Sequence, residues 1–405
     1  TTCATFPASF SVSAAGSGLN YQWFLGSTAL TDDGNITGSQ TANLSINSAS
    51  LANAGDYHVV ISGIAPCSPV TSNMAHLVVN KDIVITSQPV SVSQCAGTTA
   101  SFTVAATGDG LNYQWRKGSA VLVDGGNISG TNTATLTISN ISAANAAADY
   151  NVIVGGSGGI CPHVISNNAA LIVNPIPNAS ASPASQSICS GAAISTINLT
   201  GSVGGTTYNW TRDNNGNVSG IGASGSGNIS GVLNNNTTTP QTVNFTITPT
   251  AAGCNGTVVN ATVVVNPVVN VSSLPSTQTI CSGASITNIL NNSNIGSATI
   301  NWTRDNTATV TGIPASGTGN ISGTLSNNSF VPVTVTFSTT ASAYGCNSNT
   351  VTSTVIVNPT AAASASPSTQ QLCSGASITP IVITSTTPGA IFNWTRDNAG
   401  ITGTI

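Results

Sequence analysis

Glutamate is absent from these 405 residues, and charge of either sign is scarce: ten acidic residues, all Asp, six Lys and Arg together, and three His. Charged residues make up 4% of the chain, against roughly 25% in ordinary soluble domains. Six cations cannot line the basic stripe that a phosphate backbone demands, which excludes nucleic acid as a partner. A net charge of −4 over this length gives no field to steer an ionic ligand either. Two-carboxylate glycoside hydrolysis lacks its acid and base. Calcium needs six or more oxygens with several carboxylates together, and zinc needs CxxC-type clusters; neither pattern occurs, so no metal or cofactor is expected. No apolar run approaches the 18 residues of a membrane span. The start at Thr1 carries no basic stretch followed by an apolar one, as a signal peptide would. Helical periodicity is missing too, and Asn, Gly, Thr and β-branched residues dominate.

What is present is a repeat. Asn-Trp-Thr-Arg-Asp-Asn begins at Asn209, Asn301 and Asn393, each copy 92 residues after the last. Cys189, Cys281 and Cys373 keep that spacing, as do Pro175, Pro267 and Pro359. A period of this length means tandem domains, each able to bury its own apolar face. The expected division is 1–80, 81–174, 175–266, 267–358 and 359–405. The first and last read as incomplete. Cys3 matches Cys95 without the strand-like stretch that precedes Cys95, and the chain stops at Ile405, eleven residues past Trp394. The sequence therefore reads as an excerpt of a longer polypeptide.

Nine cysteines resolve into one pair per repeat: Cys3 with Cys67, Cys95 with Cys161, Cys189 with Cys254, and Cys281 with Cys346, at separations of 64, 66, 65 and 65. Cys373 is left without a partner by truncation. Closing such a loop should stabilise a domain by about 4 kcal/mol. Disulfides place the chain on an oxidising route, through the periplasm to the cell surface or medium.

The first two repeats alternate apolar and polar residues through Leu19, Tyr21, Trp23 and Leu25, and through Leu111, Tyr113 and Trp115. Such alternation marks strands with one face in a core. Asp56-Tyr57 and Asp149-Tyr150 resemble the tyrosine corner of immunoglobulin domains, with Trp23 and Trp115 at the strand C position. The positions of the immunoglobulin cysteines hold Val12, Val59, Val104 and Val152, so aliphatic packing replaces that inter-sheet bridge.

The remaining repeats open on Asn-Pro, then run through Ile- or Leu-Cys-Ser-Gly and Asn-Trp-Thr-Arg-Asp-Asn to Gly-Asn-Ile-Ser-Gly at Gly227 and Gly319. This pattern is similar to the PKD-like repeats of long Bacteroidetes cell-surface proteins, which are often joined to immunoglobulin-like repeats. The resemblance implies type IX secretion and a gliding-motility or other surface adhesin.

Each Trp (Trp23, Trp115, Trp210, Trp302, Trp394) occupies the strand C position, which assigns it to a core rather than to a sugar platform. Arg212, Arg304 and Arg396, followed by Asp213, Asp305 and Asp397, read as structural ion pairs or as clamps on backbone carbonyls at the end of that strand. His58, His76 and His163 occur only in the first kind of repeat, and no Ser/His/Asp arrangement stands out among so many Ser. Gly-Asn-Ile-Thr/Ser-Gly at Gly34, Gly126, Gly227 and Gly319 reads as a turn, although Asn35, Asn127, Asn228 and Asn320 also fit a glycosylation sequon. The second kind of repeat has no Lys, which rules out Lys–Asn isopeptide staples there.

The closing strands Leu171–Val173 and Val263–Val265 run straight into Asn-Pro without a Gly/Ser linker. Proline restricts itself and the residue before it, so stiff joints are expected; Asn80-Lys81-Asp82 lacks the proline and should bend more. The fold expected is all-β: tandem immunoglobulin-like and PKD-like β-sandwich domains forming an elongated rod of about 150–180 Å. The function expected is a non-catalytic structural or adhesive stalk of a secreted cell-surface adhesin or filament. Its partner would be a surface glycan or protein, or neighbouring copies joined at edge strands that lack Lys gatekeepers. The alternatives are spacers of a secreted multidomain enzyme, or a carbohydrate-binding module.

Overall fold

The structure, a computed structural model, describes residues 1–397. It is all-β, and among the described residues the only helical turns are three short 3-10 segments. By contacts the chain forms two compact units. The first holds Thr1–Asn178 with Val203–Thr206 and Thr250–Gly256; the second holds Ala179–Ser202, Thr207–Pro249 and residues from Thr257 onward.

The first unit contains two immunoglobulin-like sandwiches. In the better developed one, strand Val92–Cys95 pairs parallel with Ala169–Asn174, and the sheet continues antiparallel through Ala147–Gly155, Asn112–Lys117 and Ala120–Val121. The facing sheet joins Ala100–Thr103, Thr135–Ile138 and Ile128–Ser129. Alternation in these strands puts Phe102, Trp115, Leu136, Ile138, Tyr150 and Val152 into one core, each at most 1% exposed. Val104 and Val152 fill the space an inter-sheet bridge would occupy. The preceding sandwich repeats this around Trp23, Leu44, Ile46, Tyr57 and Val59.

Both tyrosine corners are formed. The Tyr57 hydroxyl donates to the carbonyl of Asn53 and that of Tyr150 to Asn145, each at 2.7 Å. Their rings stack on Phe10 and Phe102 at centroid distances of 4.4 and 5.0 Å. A buried ring with a satisfied hydroxyl pins the start of the long strand to the short helical turn before it.

The PKD-like sandwiches use the same parallel pairing. In the later copy Thr277–Cys281 runs beside Val351–Asn358, which pairs antiparallel with the eleven-residue strand Val333–Ala343. The sheet then continues through Thr299–Arg304 to Ser316–Thr318. Trp302 meets Phe337 edge-on, as Trp210 meets Phe245. Glycine is required beside both indoles: a Cβ on Gly225 or Gly317 would lie 2.3 Å from Trp210 or Trp302. After Asn358 the described residues form only the hairpin of Ser364–Ser366 with Val382–Thr384. Trp394 is 56% exposed, contrary to the core role expected of it. The strands that enclose Trp210 and Trp302 have no counterpart around it among the described residues. The expected domain 359–405 is thus described only to Asp397.

Burial raises the pKa of both corner tyrosines above the usual 10, with the Asp149 charge adding to the effect at Tyr150. The folded state therefore holds their protons more tightly than the unfolded state. That contribution is present below pH 10 and is lost as pH rises through the folded pKa. Tyr150→Phe should remove its share of the alkaline loss and cost about 1 kcal/mol at neutral pH, both read from urea unfolding followed by Trp fluorescence at pH 7 and above 10.

Candidate functional site

The junctions between successive sandwiches concentrate what chemistry the chain has. Parallel pairing places a cysteine directly beside the residue where the chain leaves the sandwich: Cys3 faces Asn80, Cys95 faces Asn174, Cys189 faces Asn266 and Cys281 faces Asn358. The other cysteine of each PKD-like repeat follows a tight two-residue turn. Ala252 and Gly253 (φ 49° and 78°), or Tyr344 and Gly345 (φ 52° and 78°), reverse the long strand, the left-handed pair that twisted hairpins favour. Cys254 then pairs with Ala251 and Cys346 with Ala343.

These positions lie at opposite ends of a sandwich, which overturns the expected pairing. In one repeat Cys281 sits at the Val333 end of the long strand, because Asn358 adjoins the Val333–Val357 pair; Cys346 sits beyond Ala343 at the other end. Ten residue steps at about 3.3 Å separate the two ends by roughly 33 Å, whereas a disulfide needs Cα atoms within about 7 Å. The bonds therefore join each repeat to the next. Cys3 pairs with Cys161, Cys95 with Cys254 and Cys189 with Cys346, at Cα distances of 5.4, 5.7 and 5.8 Å and sequence separations of 158, 159 and 157. Cys67, Cys281 and Cys373 are free and exposed. The pairs Cys3–Cys67, Cys95–Cys161, Cys189–Cys254 and Cys281–Cys346 are not formed.

Each bridge has company. The Asn174 amide donates to the Ala252 carbonyl at 3.5 Å and to Ser93 Oγ at 3.0 Å. One period later, Asn266 donates to the Tyr344 carbonyl at 2.9 Å and to Ser187 Oγ at 3.2 Å. Val269, Ile295, Ala341, Ala343 and Cys346 form a small buried cluster against Cys189, Val271, Ala298 and Ile300. In the first unit Cys3 and Cys161 join the core around Trp115. The Cys189–Cys346 junction thus combines a covalent bond, an asparagine gripping the hairpin tip and apolar contact. The asparagines were legible only as helpers to proline; their amides gave no separate signal.

The arginines bind carbonyls rather than their Asp neighbours. Arg304 Nε donates to Ile313 O at 2.7 Å and Pro314 O at 3.2 Å, Nη2 to Val310 O at 2.9 Å and Nη1 to the Asp305 carbonyl at 3.4 Å. Arg212 repeats the set on Ile221, Gly222, Val218 and Asp213. Burial lowers both arginine pKa values, and the adjacent Asp charges oppose this through space. The Asp213 and Asp305 carboxylates instead accept backbone N–H groups from Asn244 and Thr336. The expected ion pairs Arg212–Asp213 and Arg304–Asp305 are absent because the guanidinium is turned inward onto the strand end. Arg396 is exposed. Two further clamps escaped the sequence reading: buried Asn235 and Asn327 donate to Thr239 and Val265, and to Val331 and Val357.

The Gly-Asn-Ile turns are tied by their Asn side chains. Asn35 and Asn127 donate to Ser48 and Ser139; Asn228 and Asn320 accept from Leu199 and Asn291. The Trp23 and Trp115 indoles donate to Thr41 and Thr133 carbonyls. Among the described residues no three His, Cys, Asp or Glu gather as a metal site, and no helix is long and apolar enough to cross a membrane.

The PKD-like domain family matches residues 186–269 and again 278–361, the two repeats that share this junction chemistry. The chain matches no curated protein. Among solved structures it is similar to an I-band fragment of titin (15% identity over 69% of this chain and 98% of that one, TM-score 0.45). It is also similar to Sidekick-1 immunoglobulin domains 1-5 (15%, 88% and 78%, TM-score 0.31). A third likeness is to three N-terminal domains of the bacteriophage RB49 outer capsid protein Hoc (15%, 66% and 96%, TM-score 0.31).

Mass mapping of a non-reducing digest should recover Cys95 linked to Cys254 and Cys189 linked to Cys346; a Cys95–Cys161 product would contradict the junction geometry. Arg304→Met should destabilise its sandwich by about 2–4 kcal/mol, since it leaves two or more buried carbonyls unpaired, a loss measurable by urea denaturation.

Proposed function

We propose that the chain is a load-bearing, non-catalytic length of an exported stalk, divided at 80/81, 174/175, 266/267 and 358/359, that holds or presents an adhesive element at a cell surface. The observation that carries this reading is that every bridge joins one sandwich to the next instead of closing a loop within one. Cys95 lies inside the Cys3–Cys161 loop, and Cys189 lies inside the Cys95–Cys254 loop. Pulling on residues 3 and 346 therefore loads a covalent path that crosses from Cys3 to Cys161, follows 28 residues of backbone to Cys189 and crosses to Cys346. Disulfides of this number support passage through an oxidising compartment. The PKD-like match and the surface-protein resemblance support a cell-surface adhesin or gliding filament, exported by the type IX route, with a glycan, a protein or its own copies as partner.

An enzyme gains nothing from such a path, whereas a tether gains a fixed limit of extension. At about 3.5 Å per residue, the oxidised chain held at residues 3 and 346 should stop near 100 Å however hard it is pulled. The reduced chain should extend to about 1,200 Å by the same rule. Single-molecule force spectroscopy with handles at those positions reads the difference. A long extension without reductant would remove the tether reading.

A further inference from the structure

Three junction cysteines at the end of the parallel strand are already bonded, and a fourth in the same register is not. Cys281 faces Asn358 as Cys95 faces Asn174 and Cys189 faces Asn266, yet its thiol is free and exposed. Its backbone surroundings match the bonded copies. Ser282 N–H donates to the Asn358 carbonyl at 2.9 Å, as Ser190 does to Asn266. Cys281 also lies in the same Ile-Cys-Ser-Gly segment as Cys189. In the bonded PKD-like junction the strand-end cysteine takes the sulfur of a Gly-Cys hairpin, and the neighbouring Asn266 amide takes that hairpin's turn carbonyl. The Asn358 amide donates to no carbonyl among the described residues.

We propose that Cys281 and Asn358 form a docking socket for a cysteine-bearing hairpin of another PKD-like module. The hairpin would have the Ala-x-Gly-Cys-Asn form seen at Ala251–Asn255 and Ala343–Asn347. The two hairpin cysteines that flank Cys281 in the sequence are already committed, Cys254 to Cys95 and Cys346 to Cys189. The bonded pairs are 157–159 residues apart, a spacing that no cysteine among the described residues keeps with Cys281 on its C-terminal side. Docking closes on a disulfide. Two thiols give up two protons and two electrons to a disulfide oxidant, whose own S–S bond becomes two thiols. This inference rests on the junction geometry and stands whether or not the stalk bears load.

The test uses the full chain and two synthetic peptides, each carrying one cysteine as its mixed disulfide with thionitrobenzoate. One peptide has the hairpin sequence of residues 248–257, and the other has the same composition scrambled. Thiolate attack expels thionitrobenzoate and leaves the peptide on the protein. Peptide-level mass spectrometry then gives the rate at each free cysteine. Cys281 should take the hairpin peptide at least about ten times faster than the scrambled one, and Asn358→Ala should cut that preference several-fold. Cys67 and Cys373 should show none, since Cys67 belongs to the hairpin side of a junction and Cys373 lacks the paired closing strand. Equal rates for the two peptides at Cys281, failure of Cys281 to react, or the same preference at Cys373 would overturn the proposal.

Discussion

The short parallel pairing between an early strand and the closing strand of each sandwich governs the rest of this molecule. It is a modest contact of four or five residues in the complete copies. Because the strands run in the same direction, the end of the early strand lies beside the residue where the chain departs for the next sandwich. A cysteine there can only look outward, toward whatever follows. An antiparallel partner would have carried it to the opposite end. The bridges, the asparagine grip and the placement of proline all follow from that one choice of direction.

Polar groups do in this chain what ions do elsewhere. With so few charges, the buried arginines, Asn235 and Asn327 satisfy strand-end and loop carbonyls that would otherwise be stranded. Aspartates accept backbone N–H groups inside loops. Ser39 and Gly38 lower the pKa of Asp32, and Thr131 does the same for Asp124. Such bonds depend weakly on ionic strength compared with surface ion pairs.

Much of this is legible in the sequence. Alternation located the strands that supply Trp23 and Trp115 to their cores, and Asp-Tyr located both corners. The connectivity of the sulfurs was not readable from spacing, for a definite reason. In a chain of period 92, a separation near 65 within a repeat implies one near 157 to the next, and both are equally regular. Position along the strand separates the two cases. Cys346 comes directly after a left-handed turn that ends an eleven-residue alternating strand, whereas Cys281 ends a strand near that segment's start. At Arg304 the sequence left an ion pair with Asp305 and a clamp on backbone carbonyls both open, and burial of the guanidinium at the strand end decides for the clamp.

Because the two sulfurs of a single sandwich stand about 33 Å apart once it has folded, correct linkage cannot guide the folding of that sandwich. It has to wait until the following one has presented its hairpin. A chain threaded outward from its beginning would make Cys95 wait for Cys254, with Cys161 available sooner and wrong. The folded sandwich itself, by holding Cys95 away from Cys161, acts as the proofreader of its own covalent chemistry.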